Sequence, residues 1–87
     1  MALTDTEVRG AKPKATRYML YDNDGLYCEV MTSGSKVWKY RYWVDKKEKK
    51  ATIGHYPDIS LREAREKRDD LRKGRARGID PKKALKP

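Results

Sequence analysis

Nine consecutive residues, Lys36-Val37-Trp38-Lys39-Tyr40-Arg41-Tyr42-Trp43-Val44, alternate in a way that only an extended strand satisfies. β-branched and aromatic side chains fill the segment. A period of two sends Trp38, Tyr40, Tyr42 and Val44 to one face and Val37, Lys39, Arg41 and Trp43 to the other. One face is built to be buried and the other carries cations. The rest of the chain has to supply a cover for the first face and neighbours for the strand's edges.

The flanking residues supply both. Arg17 to Tyr21 reads as a short strand, and Asp22-Asn23-Asp24-Gly25 is a run of turn formers with Gly25 suited to positive φ. The same Asp-rich run lacks the glutamate that completes a calcium-binding EF-hand loop, so no metal is expected there. Leu26 to Thr32 forms the next strand, with Leu26, Cys28 and Val30 on one side. Thr32 to Ser35 turns the chain into the central strand, and Asp45 to Glu48 forms a polar turn out of it. Lys49 to Ile53 alternates again, with Ala51 and Ile53 set against Lys50 and Thr52. Links this short force an antiparallel meander.

A helix is expected on either side of the meander. Thr4-Asp5-Thr6-Glu7 has the form of a capping box, Leu3 and Val8 stand where a hydrophobic staple would close it, and Pro13 stops the helix near Ala11. Ser60-Leu61-Arg62-Glu63 is a second capping box. Behind it Leu61, Ala64 and Leu71 share a face, flanked by Arg68 and Arg75, whose aliphatic stems can extend the stripe. Gly74 weakens the last turns, Gly78 supplies a stop signal and Pro81 lies just beyond. The expected fold is therefore α+β: a short N-terminal helix, a three- to four-stranded antiparallel meander, and a C-terminal helix packed on one face of the sheet. Residues 1–80 form the domain and 81–87 begin a linker.

The 87 residues carry a net charge of +9, and the excess is one-sided: residues 1–35 hold four bases and five acids, residues 36–87 eighteen bases and eight acids. A field of one sign over half a domain marks a polyanion partner, which makes nucleic acid the first to consider. The single cysteine, Cys28, rules out an internal disulfide and fits a reducing cytoplasm. The N-terminus lacks the basic and apolar regions of a secretory signal, and no apolar run approaches the roughly 20 residues of a membrane span. The six tyrosines lack a catalytic constellation. The lone His55 lacks partners for a zinc site or a general base, which leaves it a loop residue within reach of a phosphate. No cofactor is implied.

Specific residues narrow the reading further. Leu3-Thr4-Asp5, Ala11-Lys12-Pro13, Asp22 with Gly25-Leu26-Tyr27, and Gly34-Ser35-Lys36 with Trp38 and Tyr40-Arg41-Tyr42 succeed one another. They are followed by Ile53-Gly54, Tyr56-Pro57, Ser60-Leu61 with Glu63-Ala64-Arg65, and Gly78-Ile79-Asp80-Pro81. In this succession the chain resembles the N-terminal arm-type DNA-binding domain of phage and pathogenicity-island tyrosine recombinases, the integrases of mobile elements. Two positions depart from the pattern: Trp43, where related domains carry a basic or polar residue, and Arg68, where they carry a small one.

The resemblance implies a non-catalytic domain that binds double-stranded DNA at the arms of an attachment site, with its sheet in the major groove, during integration and excision. The core-binding and catalytic domains that hold the nucleophilic tyrosine would follow this stretch. Other integrase protomers and accessory DNA-bending or directionality factors become candidate partners, and the bacterial cytoplasm, on the nucleoid, the expected location. The candidate DNA-binding residues are Lys36, Lys39, Arg41, Trp43, Lys46, Lys47, Lys49, Lys50 and Thr52. A double-stranded RNA-binding module shares the order helix, meander, helix, and a protein-interaction module between recombinase protomers is a third reading. Indifference to sequence would mark the second, and association insensitive to salt the third.

Overall fold

The computed structural model describes residues 2–78. Its elements are α1 (Asp5–Gly10), β1 (Tyr18–Tyr21), β2 (Leu26–Val30), β3 (Lys36–Val44), β4 (Lys47–Tyr56) and α2 (Leu61–Ala76). The four strands form one antiparallel sheet in sequence order. This is the α+β meander expected from the sequence, with four strands. The expected linker, 81–87, lies outside the described residues.

Each helix starts where its cap places it. Thr4 Oγ1 accepts from the Glu7 amide, although Glu7 returns to the Thr4 hydroxyl (3.1 Å) and not to its backbone N–H as the full box would have it. At α2 the box is complete: Ser60 Oγ accepts from the Glu63 amide and Glu63 Oε1 accepts from the Ser60 amide. The Glu63 carboxylate thus serves the helix N-terminus itself. Leu3 and Val8 are both buried in one cluster with Leu26, Cys28, Trp38, Leu61 and Ala64, so the staple also becomes core. A second cluster holds Tyr40, Tyr42, Ala51 and Leu71, with Ile53 packed against both. Both helices therefore cover the same face of the sheet. Trp38, fully buried, anchors it by donating from Nε1 to the Ile59 carbonyl at 2.7 Å.

Two boundaries of β4 differ from the sequence reading, each for a local reason. The link between β3 and β4 is a two-residue turn, Asp45-Lys46, both at positive φ (50° and 66°), and Lys47 and Glu48 belong to β4. Such a turn carries the twist that two strands need, but glycine, the residue that usually announces it, is missing here. β4 also continues through Gly54 and His55 to Tyr56, so His55 stands on a strand and not in a loop. The continuation was hidden because the register slips between Trp38 and Lys39. Trp38 faces Gly54, Lys39 faces Thr52, and Ile53 is the extra residue of a bulge. As the sequence leads one to expect, α2 runs past Gly74 to Ala76 before Gly78, at φ +84°, ends the turn.

Arg68 is not a flank of the helix stripe but part of it, with its side chain 10% exposed. Its guanidinium is satisfied by Asp22 Oδ2 (3.1 Å), the Asn23 carbonyl (3.0 Å) and Asp69 Oδ1 (3.0 Å). Asp22 thereby becomes a structural counter-ion, which also accounts for the Asp-rich turn.

Candidate nucleic-acid interface

The sheet face opposite the helices follows from the register. Directly paired residues share a face, so Met19 and Tyr21 of β1, Tyr27 and Glu29 of β2, Val37, Lys39, Arg41 and Trp43 of β3, and Glu48, Lys50, Thr52 and His55 of β4 all lie on it. Of the nine sequence candidates the structure brings five together here: Lys39, Arg41, Trp43, Lys50 and Thr52. Lys46 sits in the exposed turn at the end of the hairpin. Lys36, Lys47 and Lys49 point to the helix side. Lys36 pairs with Tyr56, lies 5.5 Å over its ring and donates to the Arg9 carbonyl at 3.2 Å. Lys47 and Lys49 pair with Val44 and Tyr42.

The end of this face is a two-stranded ribbon. β2 pairs with β3 only from Leu26–Tyr40 to Val30–Lys36, and one further bond, from the Arg41 amide to the Gly25 carbonyl (2.8 Å), closes that edge. Gly25 is fixed by that approach. It lies at φ +89°, and a Cβ there would collide with the Arg41 carbonyl oxygen. Beyond Arg41, β3 has only β4 as a strand neighbour, so Tyr42 to Lys49 project past the sheet. Arg75 of α2 braces the projection, donating to the Trp43 carbonyl at 2.5 Å and lying 5.3 Å over the Tyr42 ring. A backbone acceptor at an unpaired strand edge is thus satisfied by the covering helix.

The open face is less cationic than its lysines and arginines suggest. Lys39 Nζ lies 3.4 Å from Glu29 Oε2, and Arg41 Nε lies 3.7 Å from Glu48 Oε1, with the Arg41 guanidinium 5.9 Å over the Tyr21 ring. Tyr21 in turn packs on Tyr27 at 5.7 Å. Tyr27 is buried, and its hydroxyl has no hydrogen-bond partner among the described residues. Burial pushes its pKa up, reinforced by the charge of Glu29. Lys50 and Thr52 are exposed, and Trp43 is 56% exposed, one of two large hydrophobic side chains so displayed among the described residues; Tyr21, on the same face, is the other. The sequence reading missed Glu29, Glu48, Tyr21 and Tyr27. Extending the alternation across the meander would have placed them, but only with the register of each hairpin in hand.

The arrangement suits a groove. A β-ribbon fits the major groove, arginine bonds guanine bidentately, a carboxylate accepts from the cytosine amino group, and an apolar ring meets the thymine methyl. Arg41, Lys50, Glu48 and Trp43 present these donors, acceptors and surfaces side by side. Among the described residues no group of three or more His, Cys, Asp or Glu could hold a metal ion, and no helix is long and apolar enough to cross a membrane. A groove of about 580 Å³ lies elsewhere, where Leu3, Thr4, Ser60, Leu61 and Arg65 meet.

Comparison with known proteins agrees with this geometry. Residues 3–87 match the family model of the arm DNA-binding domain. The chain is 50% identical over 84 residues to the integrase of Shigella phage Sf6 and to the prophage integrase IntS of Escherichia coli K12, in each case across 97% of this chain and 22% of the relative. It is 46% identical over 84 residues to the integrase of Enterobacteria phage P4, across 94% of this chain and 19% of that protein. The chain thus spans about a fifth of the length of these relatives. A match over nearly its whole length, with the meander and its helix-free face in place, means that the chain belongs to the arm DNA-binding domain family of the integrases.

Proposed function

We propose that this domain recognises specific sequences in double-stranded DNA, at the arm-type sites flanking an attachment site, and so positions an integrase for recombination. The work is done in the bacterial cytoplasm on nucleoid DNA. The projecting β3–β4 ribbon carries this reading. Its open face is uncovered by either helix and displays Arg41, Trp43 and Lys50, with Glu48 and Lys39 among them. Lys39, Arg41, Lys50 and Thr52 supply contacts to base edges, Trp43 an apolar one, and Lys46 at the tip a phosphate contact. Lys36, bonded to α1, contributes at most from the margin of the sheet. The domain holds the enzyme on its site, and the chemistry of strand exchange belongs to other domains.

The test is selection from a random duplex library by the 87-residue chain, followed by titration of the enriched duplex, a shuffled duplex and the RNA duplex of the same sequence across salt. A preferred DNA sequence bound at least tenfold tighter than its shuffled form is expected. Equal affinity for all duplexes with preference for RNA would replace this reading by shape recognition. Reproducible nicking or a covalent adduct formed by this chain would overturn the division of labour.

A further inference from the structure

The β3–β4 ribbon has a second face, on the helix side, that the contact proposed above does not use. Lys49 stands directly across from Tyr42 and Lys47 from Val44. The guanidinium of Arg75 lies over that same Tyr42 ring. Side chains directly opposed on antiparallel strands have Cβ atoms about 5 Å apart, so Lys49 neighbours the ring that Arg75 covers, with Lys47 further towards the tip. One turn earlier on α2, Arg72 reaches Asp24 at 3.3 Å.

Lys47 and Lys49 differ from Lys39 and Arg41 of the open face in one respect. Lys39 and Arg41 are each matched by a carboxylate, whereas the side chain of neither Lys47 nor Lys49 holds an ion pair or hydrogen bond among the described residues. Glu48, between them in sequence, points to the other side and serves Arg41. The ring beneath is buried, so the patch offers charge without apolar surface, which fits a polyanion and not a protein partner.

We propose that Lys47 and Lys49, with Arg75, form a second anion-binding surface that grips phosphodiester groups, separate from the residues that face the bases. The inference builds on the reading that the ribbon enters a DNA groove. Stacked sheets lie about 10 Å apart, so the side chains of one face fill about 5 Å, and in a major groove about 8.5 Å deep the side chains of the other face begin below the rim and end near it. A ribbon seated on the base edges therefore carries its back face level with the phosphate rims. The open face, where Lys39 and Arg41 are each paired with a carboxylate, discriminates; the back face, where Lys47 and Lys49 meet no carboxylate, supplies the salt-dependent attraction.

The experiment compares the unaltered chain with the double variants Lys47→Gln/Lys49→Gln and Lys47→Arg/Lys49→Arg, titrated against the library-selected duplex and a shuffled duplex at several salt concentrations. At about 0.9 per phosphate contact, the glutamine variant should shallow the slope of log K against log salt by about 1.8. It should weaken both duplexes in parallel and leave their affinity ratio unchanged, while the arginine variant keeps the unaltered slope. An unchanged slope and affinity in the glutamine variant would overturn the proposal, as would a collapse of the affinity ratio, which would make these lysines base readers. Acetylation footprinting of the unaltered chain bound to DNA gives a check independent of folding, and lysines 47 and 49 left unprotected would also refute it. If the unaltered chain preferred no sequence yet the slope still fell in the variant, the arm-site reading would fail and this surface would stand.

Discussion

The carboxylate of Asp22 accepts two hydrogen bonds from the guanidinium of Arg65, Nε to Oδ2 and NH2 to Oδ1, both at 3.0 Å. The pair joins the β1–β2 turn to α2 across 43 positions of sequence. The same carboxylate takes Arg68 on Oδ2 and the Leu3 amide on Oδ1, so one buried acid ties together the N-terminus, the sheet and the covering helix. Arg65 also donates to the Leu3 carbonyl at 2.6 Å, which closes the network. In a domain this small, whose core is two modest clusters, such a junction helps set the angle at which α2 lies on the sheet.

Removing it should be costly. Asp22→Ala leaves Arg68 inside with one strong acceptor fewer, and breaking a buried ion pair from one side costs about 3–5 kcal/mol. Urea unfolding at neutral pH measures this. A loss below about 1 kcal/mol would mean that water or Asp69 takes over the guanidinium.

The same residue sets an acid limb. Burial raises the Asp22 pKa, but the Arg65 hydrogen bonds, the Leu3 amide and the charges of Arg65 and Arg68 outweigh it, and the net shift is downward. A carboxyl depressed in the folded state contributes stability that is present above its unfolded pKa of about 3.9 and is lost as the pH falls through the folded value. The stability gap between the unaltered domain and Asp22→Asn should therefore be constant from pH 7 to about 5 and narrow below about pH 4. A gap that held steady down to pH 2 would remove ionised Asp22 from the account.

The tryptophans divide between the two faces. Trp38 is fully buried and bonded to Ile59, so Trp38→Ala should cost about 3–5 kcal/mol. Trp43→Ala, on the open face, should stay within about 0.5 kcal/mol. In single-tryptophan variants made with phenylalanine, DNA should change the emission of Trp43 and leave that of Trp38 nearly untouched. The reverse would mean that DNA does not approach this face.

Much of this could be read from the chain, and the limits have physical causes. β3 was placed to the residue because strict alternation between Gly34-Ser35 and Asp45 leaves no other register. α2 was placed by its capping box. The facing of Lys47 and Lys49 could not be read, because a hairpin one residue longer turns every following side chain over, and Asp45-Lys46 makes its tight turn without glycine. Arg68 looked like a flank because an arginine enters a core only with a partner, and its partner is 46 residues away. Gly54 looked like a link because the bulge at Ile53 breaks the period.

Tyr27 offers a test of what the open face pays for its packing. Its hydroxyl is buried without a partner among the described residues, between Tyr21 and the Lys39–Glu29 pair. Deleting an unsatisfied buried group removes its desolvation penalty, so Tyr27→Phe should raise stability by about 1 kcal/mol. Tyr18→Phe, which forfeits a 2.6 Å bond to the Lys12 carbonyl, should not. A Tyr27→Phe domain that melted lower would reveal a water or a protein acceptor at that hydroxyl.

Arg41 and Lys46 offer a test of whether reading and gripping fall to different residues. Arg41 projects from the open face where β3 leaves the cover of β2, its guanidinium steadied by Glu48 and by the Tyr21 ring, while Lys46 stands exposed in the turn with positive φ. A planar donor fork held in place is what a guanine edge requires, and a mobile ammonium is sufficient for a phosphate. Losing a bidentate base contact costs about 1–3 kcal/mol of discrimination, and losing a phosphate contact weakens every duplex alike while lowering the salt slope by about one. Arg41→Ala should therefore lower the ratio of selected to shuffled affinity by roughly 5- to 150-fold. Lys46→Ala should leave that ratio within about twofold and shallow the slope. The ratio at two salt concentrations decides between them: an Arg41→Ala domain that kept full discrimination would move base recognition away from Arg41, to Lys50 beside it or Lys39 further back on the same face.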